Sequence, residues 1–213
     1  MNKNELYPKV FTWLFVGLLV TFLTGYCLSI NEEMVYNLVS TVPYWLLIVI
    51  ELGVAIFFSV RINKMSKITA SICYLIYSFI TGITFSTIFI VYNLSSIMFV
   101  FLVTAITFLI FAIIGYTTKK DVSGWGSFLM MALLAVIVTS IVNIFIKSST
   151  MDLIITLISV VIFLGYVIYD MKNVERLALV NSEAGPIYGA FQLYLDFINI
   201  FVDLLKLLGN SDN

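Results

Sequence analysis

Four acidic residues lie inside long apolar segments of this sequence: Glu51, Asp170, Asp196 and Asp203. A charged side chain at the centre of a bilayer costs roughly 3 kcal/mol on insertion scales, so each of these acids must be paired, protonated or in contact with water. Asp196 lies in the polar-interrupted stretch 193–201, near the end of the chain. We expect its partner to be Asp170, one apolar segment earlier.

Two carboxylates that come together cannot both ionise cheaply, so such a pair titrates as a unit and can change its charge near neutral pH. If the helix that carries Asp170 continues through residue 175, both aspartates lie at a similar depth toward the cytoplasm. Arg61, at the inner end of the second apolar segment, is the best placed basic residue to oppose them. In the alternative interpretation, Asp170 is solvated at the interface and Asp196 bonds to a neighbouring helix. The residues alone favour neither.

The elements that must position these acids are membrane-spanning helices. The chain has 213 residues, of which 62% are hydrophobic and 11% charged, whereas soluble domains carry about 25% charged residues. The composition predicts an all-α integral membrane protein, and we treat residues 1–213 as a single polytopic domain. Its apolar segments, each near the ~20 residues that a span requires, are 10–30, 42–61, 67–92, 97–116, 125–146, 152–178 and 188–208.

Basic residues give this scheme an orientation. Nearly all of them fall on one side of the predicted spans, and the positive-inside rule then places the N-terminus in the cytoplasm. The net charge of −1 indicates no nucleic-acid partner. Histidine is absent, which excludes Ser-His-Asp triads and helix-borne histidine zinc sites.

Two further stripes follow the helical period. Asp196, Asn199 and Asp203 fall at i, i+3 and i+7, and such a polar stripe on an apolar helix must face protein or water. The small residues at positions 78, 82 and 86 recur at four-residue spacing, which lets helices approach closely. For this second stripe we expect a packing role.

The stretch 193–201, Leu-Tyr-Leu-Asp-Phe-Ile-Asn-Ile-Phe, followed by Leu-Leu-Lys-Leu-Leu-Gly at 204–209, resembles the signature of the transmembrane Bax inhibitor motif family. Three further pieces fit in family order: Thr-Gly-Ile-Thr at 81–84, Lys-Lys-Asp-Val-Ser at 119–123 and Tyr-Asp at 169–170. Length and composition resemble those of the small bacterial members, described as pH-sensitive calcium leaks.

The resemblance implies seven transmembrane helices, arranged as two three-helix layers around a central C-terminal helix. It implies that Asp170 and Asp196 form a di-aspartyl pH sensor that also holds calcium weakly and transiently. Arg61 would be the latch that engages them in the closed state, and Glu51 would line the ion path. The implied protein is a pH-gated calcium leak channel of the bacterial plasma membrane, not an enzyme.

Its expected partners are the lipid bilayer, calcium and protons, with no cofactor, and we expect a monomer. Other classes stay open. A proton-coupled cation carrier uses the same aspartates. An intramembrane aspartyl protease pairs a Tyr-Asp with a Gly-x-Gly-Asp motif, and residues 193–196 lack the glycines. A retinal protein needs a lysine within the last helix, where Lys206 lies too near the end. A non-conducting membrane regulator is the fourth alternative.

Overall fold

The fold is helical throughout the part of the chain described by the computed structural model, residues 3–41, 44–61, 64–180 and 183–210. These residues form eight α-helices. They are α1 (Lys3–Ser29), α2 (Glu32–Thr41), α3 (Tyr44–Arg61), α4 (Lys67–Val91), α5 (Leu94–Thr117), α6 (Trp125–Ile146), α7 (Ser149–Val180) and α8 (Gly185–Leu208). Each of the seven predicted apolar segments corresponds to one of these helices, and α2 is additional.

Five of the described helices, α1, α4, α5, α6 and α7, are long and apolar enough to cross a membrane. Their outward side chains are apolar and widely exposed, as in Phe145 with 82% and Val161 with 68% of its surface accessible. In water such a surface would drive aggregation, so it is a surface for lipid. The seven-span layout also requires α3 and α8 to cross, and it stays a prediction, as does the layered arrangement.

The short helix α2 was not predicted, because its polar sequence resembles a loop. Its first turn is capped by Asn31, whose side-chain Oδ1 accepts a hydrogen bond from the Met34 backbone N–H at 3.0 Å. Glu32 and Glu33 occupy the first turn, where negative charge interacts favourably with the helix dipole. Val35 is buried beneath it. Capping and one apolar anchor therefore turn this segment into a helix.

Helix α1 begins at Lys3, about two turns before the predicted start. The extra turns are polar, which is why hydropathy missed them, and they are held by Glu175. Its carboxylate accepts a hydrogen bond from the Tyr7 hydroxyl at 2.9 Å and lies 2.7 Å from the Lys3 ammonium. The partly exposed ion pair between Lys3 and Glu175 stabilises the fold by less than about 1 kcal/mol. The hydrogen bond from the buried Tyr7 hydroxyl therefore contributes more to holding the start of α1.

The chain divides into two compact units. The described part of the first unit comprises residues up to Leu94 together with Val174–Tyr194, and the second comprises Ser95–Asn173 and Leu195–Asn210. Helices α7 and α8 each contribute residues to both units. The prediction of one domain over the whole chain is left untested by this division.

In the first unit, α1 packs closely on α4 through small residues. Ser78, Gly82 and Ser86 are all buried, and a Cβ atom on Gly82 would lie 2.8 Å from the Thr21 carbonyl oxygen of α1. The packing role predicted for this stripe is confirmed. Beside it, the ring of Phe191 lies 4.8 Å from that of Phe58 and 5.0 Å from that of Tyr77, centroid to centroid.

In the second unit, α5 turns a stripe of small and aromatic residues inward. Phe108 of this stripe packs against Phe197 of α8, with ring centroids 5.5 Å apart. Farther along α5, Gly115 meets α7: a Cβ at Gly115 would lie 2.8 Å from Met171 Cβ and 2.9 Å from the Ile168 carbonyl oxygen. The missing side chain at Gly115 therefore sets how closely α5 approaches α7 next to Asp170.

Replacing Gly115 with alanine should destabilise the protein, although alanine is the better helix former by about 1 kcal/mol. The added methyl would overlap with a backbone carbonyl, and such overpacking costs about 1–3 kcal/mol. We expect a thermal midpoint lowered by a few degrees. Gly53 of α3 is the matched control, since nothing lies within 4 Å of a Cβ built there. Gly53→Ala should hold or raise the midpoint, and equal midpoints for the two variants would contradict the packing.

Candidate functional site

Two buried aspartates meet in the second unit. Asp170 of α7 and Asp196 of α8 expose only 4% and 3% of their surface, and their carboxyl groups lie within hydrogen-bonding reach of each other. The hypothesis drawn from the sequence depended on this proximity, which the sequence alone could not show. The structure thus brings together the two residues of the predicted sensor, while their roles stay predictions.

The proximity of the two carboxyl groups has a chemical consequence. A carboxylate oxygen accepts hydrogen bonds but has no hydrogen to donate, so a hydrogen bond between the two groups requires that one of them is protonated. A pair bonded in this way carries at least one proton and at most one negative charge. This form also lowers the cost of burial, because two bare charges in an apolar interior would repel each other and lack solvent.

Three polar atoms around the pair lack a hydrogen-bond partner within the described protein: Oδ1 of Asp170, Oδ2 of Asp196 and the hydroxyl of Tyr166. Tyr166 lies one helical turn before Asp170 on α7 and within electrostatic reach of both carboxyl groups. Buried polar atoms are nearly always satisfied in folded proteins, so a cluster of three needs an explanation. Tyr166 was not assigned a role from the sequence, although its i−4 spacing from Asp170 places it on the same helix face.

The aspartates are held by tight packing of their neighbours in the chain. Next to Asp196, the Phe197 ring packs between Phe101 and Phe108, each 5.5 Å away between centroids. Next to Asp170, the Tyr169 hydroxyl would lie 2.6 Å from a Cβ atom on Gly126 at the start of α6. The backbone that carries each aspartate is therefore held in place by the tightly packed side chain of the neighbouring residue.

The motif at 119–123 positions the start of α6. Asp121 accepts a hydrogen bond from the Ser123 backbone N–H at 2.9 Å, and this bond, with a second from the Ser123 hydroxyl, holds the pKa of Asp121 below its usual value. Val122 is buried, and its carbonyl accepts from the Trp125 N–H at 2.9 Å. The motif is thus a turn that leads into α6 and brings Gly126 against Tyr169.

Glu51, predicted to line the ion path, lies half-buried in the first unit. Its carboxylate accepts a hydrogen bond from the Thr84 hydroxyl at 2.8 Å, and Thr84 is the last residue of the motif at 81–84. The phenol groups of Tyr77 and Tyr194 lie within electrostatic reach of Glu51. This acid is therefore surrounded by hydroxyl groups.

A hydrogen-bonded chain of hydroxyls adjoins Glu51 in the same unit. The Tyr194 and Thr21 hydroxyl oxygens are 2.6 Å apart, and the Thr21 hydroxyl donates to the Ser78 carbonyl at 2.9 Å. Since Thr21 uses its only hydrogen on Ser78, Tyr194 must be the donor to Thr21. The hydroxyl hydrogens of Tyr194 and Thr21 are therefore both used in hydrogen bonds within the described protein.

Arg61 is the last residue of α3 and is exposed in the first unit. A guanidinium group at a helix C-terminus interacts favourably with the helix dipole, which is reason enough for a basic residue there. Its role as a latch stays a prediction. Across the described ranges, no three Cys, Asp or Glu side chains converge as a metal-binding group.

Two tyrosines in this fold should respond differently to loss of their hydroxyl. Tyr194→Phe removes the donor to Thr21, which should cost about 1 kcal/mol and lower the thermal midpoint by a few degrees. Tyr166→Phe removes a buried hydroxyl without a partner, so the midpoint should stay the same or rise. Thermal unfolding in detergent or nanodiscs measures both, and a larger loss for Tyr166→Phe would overturn the assigned contacts.

Comparison with known proteins identifies the family of this chain. The family profile described as Bax1-I, inhibitor of apoptosis-promoting Bax1, matches residues 3–213. An uncharacterized protein of Borreliella burgdorferi is 37% identical over 218 residues, which cover 99% of this chain and 94% of the relative.

Two other relatives have membrane names. The inner membrane protein YbhL of Escherichia coli strain K12 is 38% identical over 212 residues, covering 95% of this chain and 90% of YbhL. An uncharacterized membrane protein of Streptococcus pyogenes serotype M1 is 32% identical over 219 residues, covering 100% of this chain and 95% of the relative. The resemblance seen in the motif at 193–201 is thereby confirmed, and with its long apolar helices the chain belongs to the Bax1-I (Bax inhibitor) family of multi-pass membrane proteins.

Proposed function

We propose that this protein is a pH-sensitive calcium leak channel, in which the proton shared by Asp170 and Asp196 controls ion passage. The observation that carries the proposal is the pair itself. Its carboxyl groups are buried and lie within hydrogen-bonding reach of each other, and each has an oxygen with no partner in the described protein. A site of this kind can exchange its proton for another positive charge.

Loss of the shared proton changes the forces at this site. The hydrogen bond disappears, and two unit charges about 4 Å apart repel by roughly 4 kcal/mol at an effective dielectric constant near 20. A hard cation such as calcium relieves that repulsion, since carboxylate oxygens are its preferred ligands. Protons and calcium therefore compete for the same oxygens. With only two carboxylates the binding is weak, as conduction requires.

Two further residues complete the proposed channel. Arg61 acts as the latch, because its permanent charge favours the ionised form of the pair when it is engaged. Glu51 lines the ion path, where its hydrogen bond to Thr84 and its nearby phenol groups offer oxygen ligands to a passing cation. We place seven spans in the membrane with the N-terminus in the cytoplasm.

The proposed channel needs neither a cofactor nor an enzymatic reaction. The relatives reported above are named as membrane proteins or as uncharacterized, and none of the three has an enzyme name. A proton-coupled carrier is the competing proposal, because it would use the same pair. It would differ in kinetics: its calcium flux would saturate and would drive protons in the opposite direction.

Replacing either aspartate of the pair by asparagine should flatten the dependence of calcium flux on pH. The reason is that a single carboxyl group no longer shares a proton with a second one. Calcium flux into liposomes containing the purified protein, measured from acidic to alkaline pH, gives the profile.

Asp121→Asn is the matched control for this experiment, since it removes an acid from an exposed loop of the same unit. It should leave the pH profile of the unmodified protein in place. An unchanged profile in both Asp170→Asn and Asp196→Asn would end the proposal. A calcium flux that saturates and is coupled to proton counterflow would favour the carrier over the channel.

Replacing Arg61 with a neutral residue should raise the calcium flux through the closed protein. Arg61→Gln removes the charge that holds the closed state, so calcium flux under closing conditions should rise several-fold, whereas Arg61→Lys keeps the charge and should show a smaller rise. The same liposome measurement tests both variants. Equal flux in Arg61→Gln and the unmodified protein at every pH would remove Arg61 from the mechanism while leaving the aspartate pair in place.

A further inference from the structure

A second polar site lies within the second unit, away from the aspartate pair. A cavity of about 370 Å³ opens among α6, α7 and α8. Its polar lining consists of Ser140, Asn143, Asp152, Thr156, Ser159, Asp203 and Lys206. Asp203 follows Asp196 by seven residues on α8, about 10 Å along the helix axis. The cavity is therefore not part of the predicted sensor.

Asp203 is the buried acid of this cavity. It exposes only 9% of its surface, and its carboxylate accepts a hydrogen bond from the Ser159 hydroxyl. Its second oxygen, Oδ2, is buried and has no hydrogen-bond partner within the described protein. Leaving a buried carboxylate oxygen unsatisfied is costly, and a ligand in the cavity that Asp203 lines would remove that cost.

The neighbouring hydroxyl groups present lone pairs rather than hydrogens. The Ser140 hydroxyl donates to the Val136 carbonyl at 2.8 Å, and the Thr156 hydroxyl donates to the Asp152 carbonyl at 2.9 Å. The hydrogen of Ser159 is used on Asp203. Each hydroxyl has only one hydrogen to donate, so what these groups still offer to a ligand is oxygen. Apart from the amide nitrogen of Asn143 and the ammonium of Lys206, the polar lining therefore offers oxygen atoms, which suit a hard cation.

Charge points the same way. Asp203 and Asp152 outnumber the single lysine of the cavity, Lys206, which lies within electrostatic reach of Asp203. The excess negative charge attracts a cation, while Lys206 competes with it. A cavity this large also has room for several waters, each occupying about 30 Å³, so a bound ion need not lose its whole hydration shell.

We propose that this cavity binds a partly hydrated divalent cation of the calcium type through the carboxylates of Asp203 and Asp152 and the oxygens of Ser140, Thr156 and Ser159. Lys206 is the competing charge that keeps binding weak. With two carboxylates, the dissociation constant should fall near 10⁻⁴–10⁻³ M, roughly the range of weak extracellular calcium sites. The site does not depend on conduction, because it concerns equilibrium binding at other residues.

Calcium-dependent thermal stability of the full chain in lipid nanodiscs tests the site. The thermal midpoint is followed against calcium chloride concentration at constant ionic strength, since a ligand that binds only the folded state raises it in a saturable way. Working in the Asp170→Asn/Asp196→Asn background removes any binding at the sensor. Saturable stabilisation should persist there, and its absence would overturn the proposal without touching the proposed channel.

Two variants should shift the calcium affinity of the cavity in opposite directions. Asp203→Asn should weaken calcium binding about tenfold or more, whereas Lys206→Met should tighten it several-fold because the competing charge is gone. A gain of affinity cannot result from misfolding, so the lysine variant keeps the test decisive even if Asp203→Asn folds poorly. Calcium affinity that is unchanged or lost in Lys206→Met would refute a cation site.

Discussion

The central constraint in this structure is the burial of two carboxyl groups beside each other. Asp170 and Asp196 approach each other in an apolar interior where neither could remain charged alone at low cost, and a hydrogen bond between them requires that one of them holds a proton. Packing holds the two helices in place around them. The position of the pair is therefore fixed by the fold, whereas in the proposed channel its charge follows the proton concentration.

The packing that fixes the pair comes from residues that are small or flat. Gly115 lets α5 reach the backbone of α7 beside Asp170, and Gly126 lets α6 lie against the ring of Tyr169. The acid of the first unit has a different environment, since Glu51 receives a hydrogen bond from the Thr84 hydroxyl. Glu51 is therefore stabilised by a hydroxyl donor, whereas each aspartate of the pair lies beside a second carboxyl group.

The sequence predicted the helices well, because a membrane-spanning helix needs a long apolar run and this chain has little else. It also predicted the aspartate pair, because a buried acid requires a partner and few were available. It missed α2, which is formed by the Asn31 cap, and the polar start of α1, which is held by Glu175 far along the chain. Hydropathy detects burial in lipid, whereas capping and long-range polar contacts leave no apolar signal.

Side-chain placement around the acids was less predictable. Tyr166 and the cavity at Asp203 depend on which helix faces meet, and helical spacing alone does not determine this. The polar stripe of Asp196, Asn199 and Asp203 correctly indicated a face turned toward protein, yet it did not show that Asp196 meets Asp170 whereas Asp203 lines a separate cavity. The seven-span layout, the orientation and the latch role of Arg61 stay predictions, since each depends on the membrane or on a second functional state.

Infrared difference spectroscopy of the protein in lipid, titrated from acidic to alkaline pH, tests the shared proton most directly. The account predicts a carbonyl band of a protonated carboxylic acid that disappears over the same pH range in which calcium flux changes. That band should be altered in both Asp170→Asn and Asp196→Asn, because each variant breaks the pair. A titrating band that is the same in both variants, or the lack of any protonated carboxyl band at neutral pH, would contradict the claim that these two aspartates hold one proton between them.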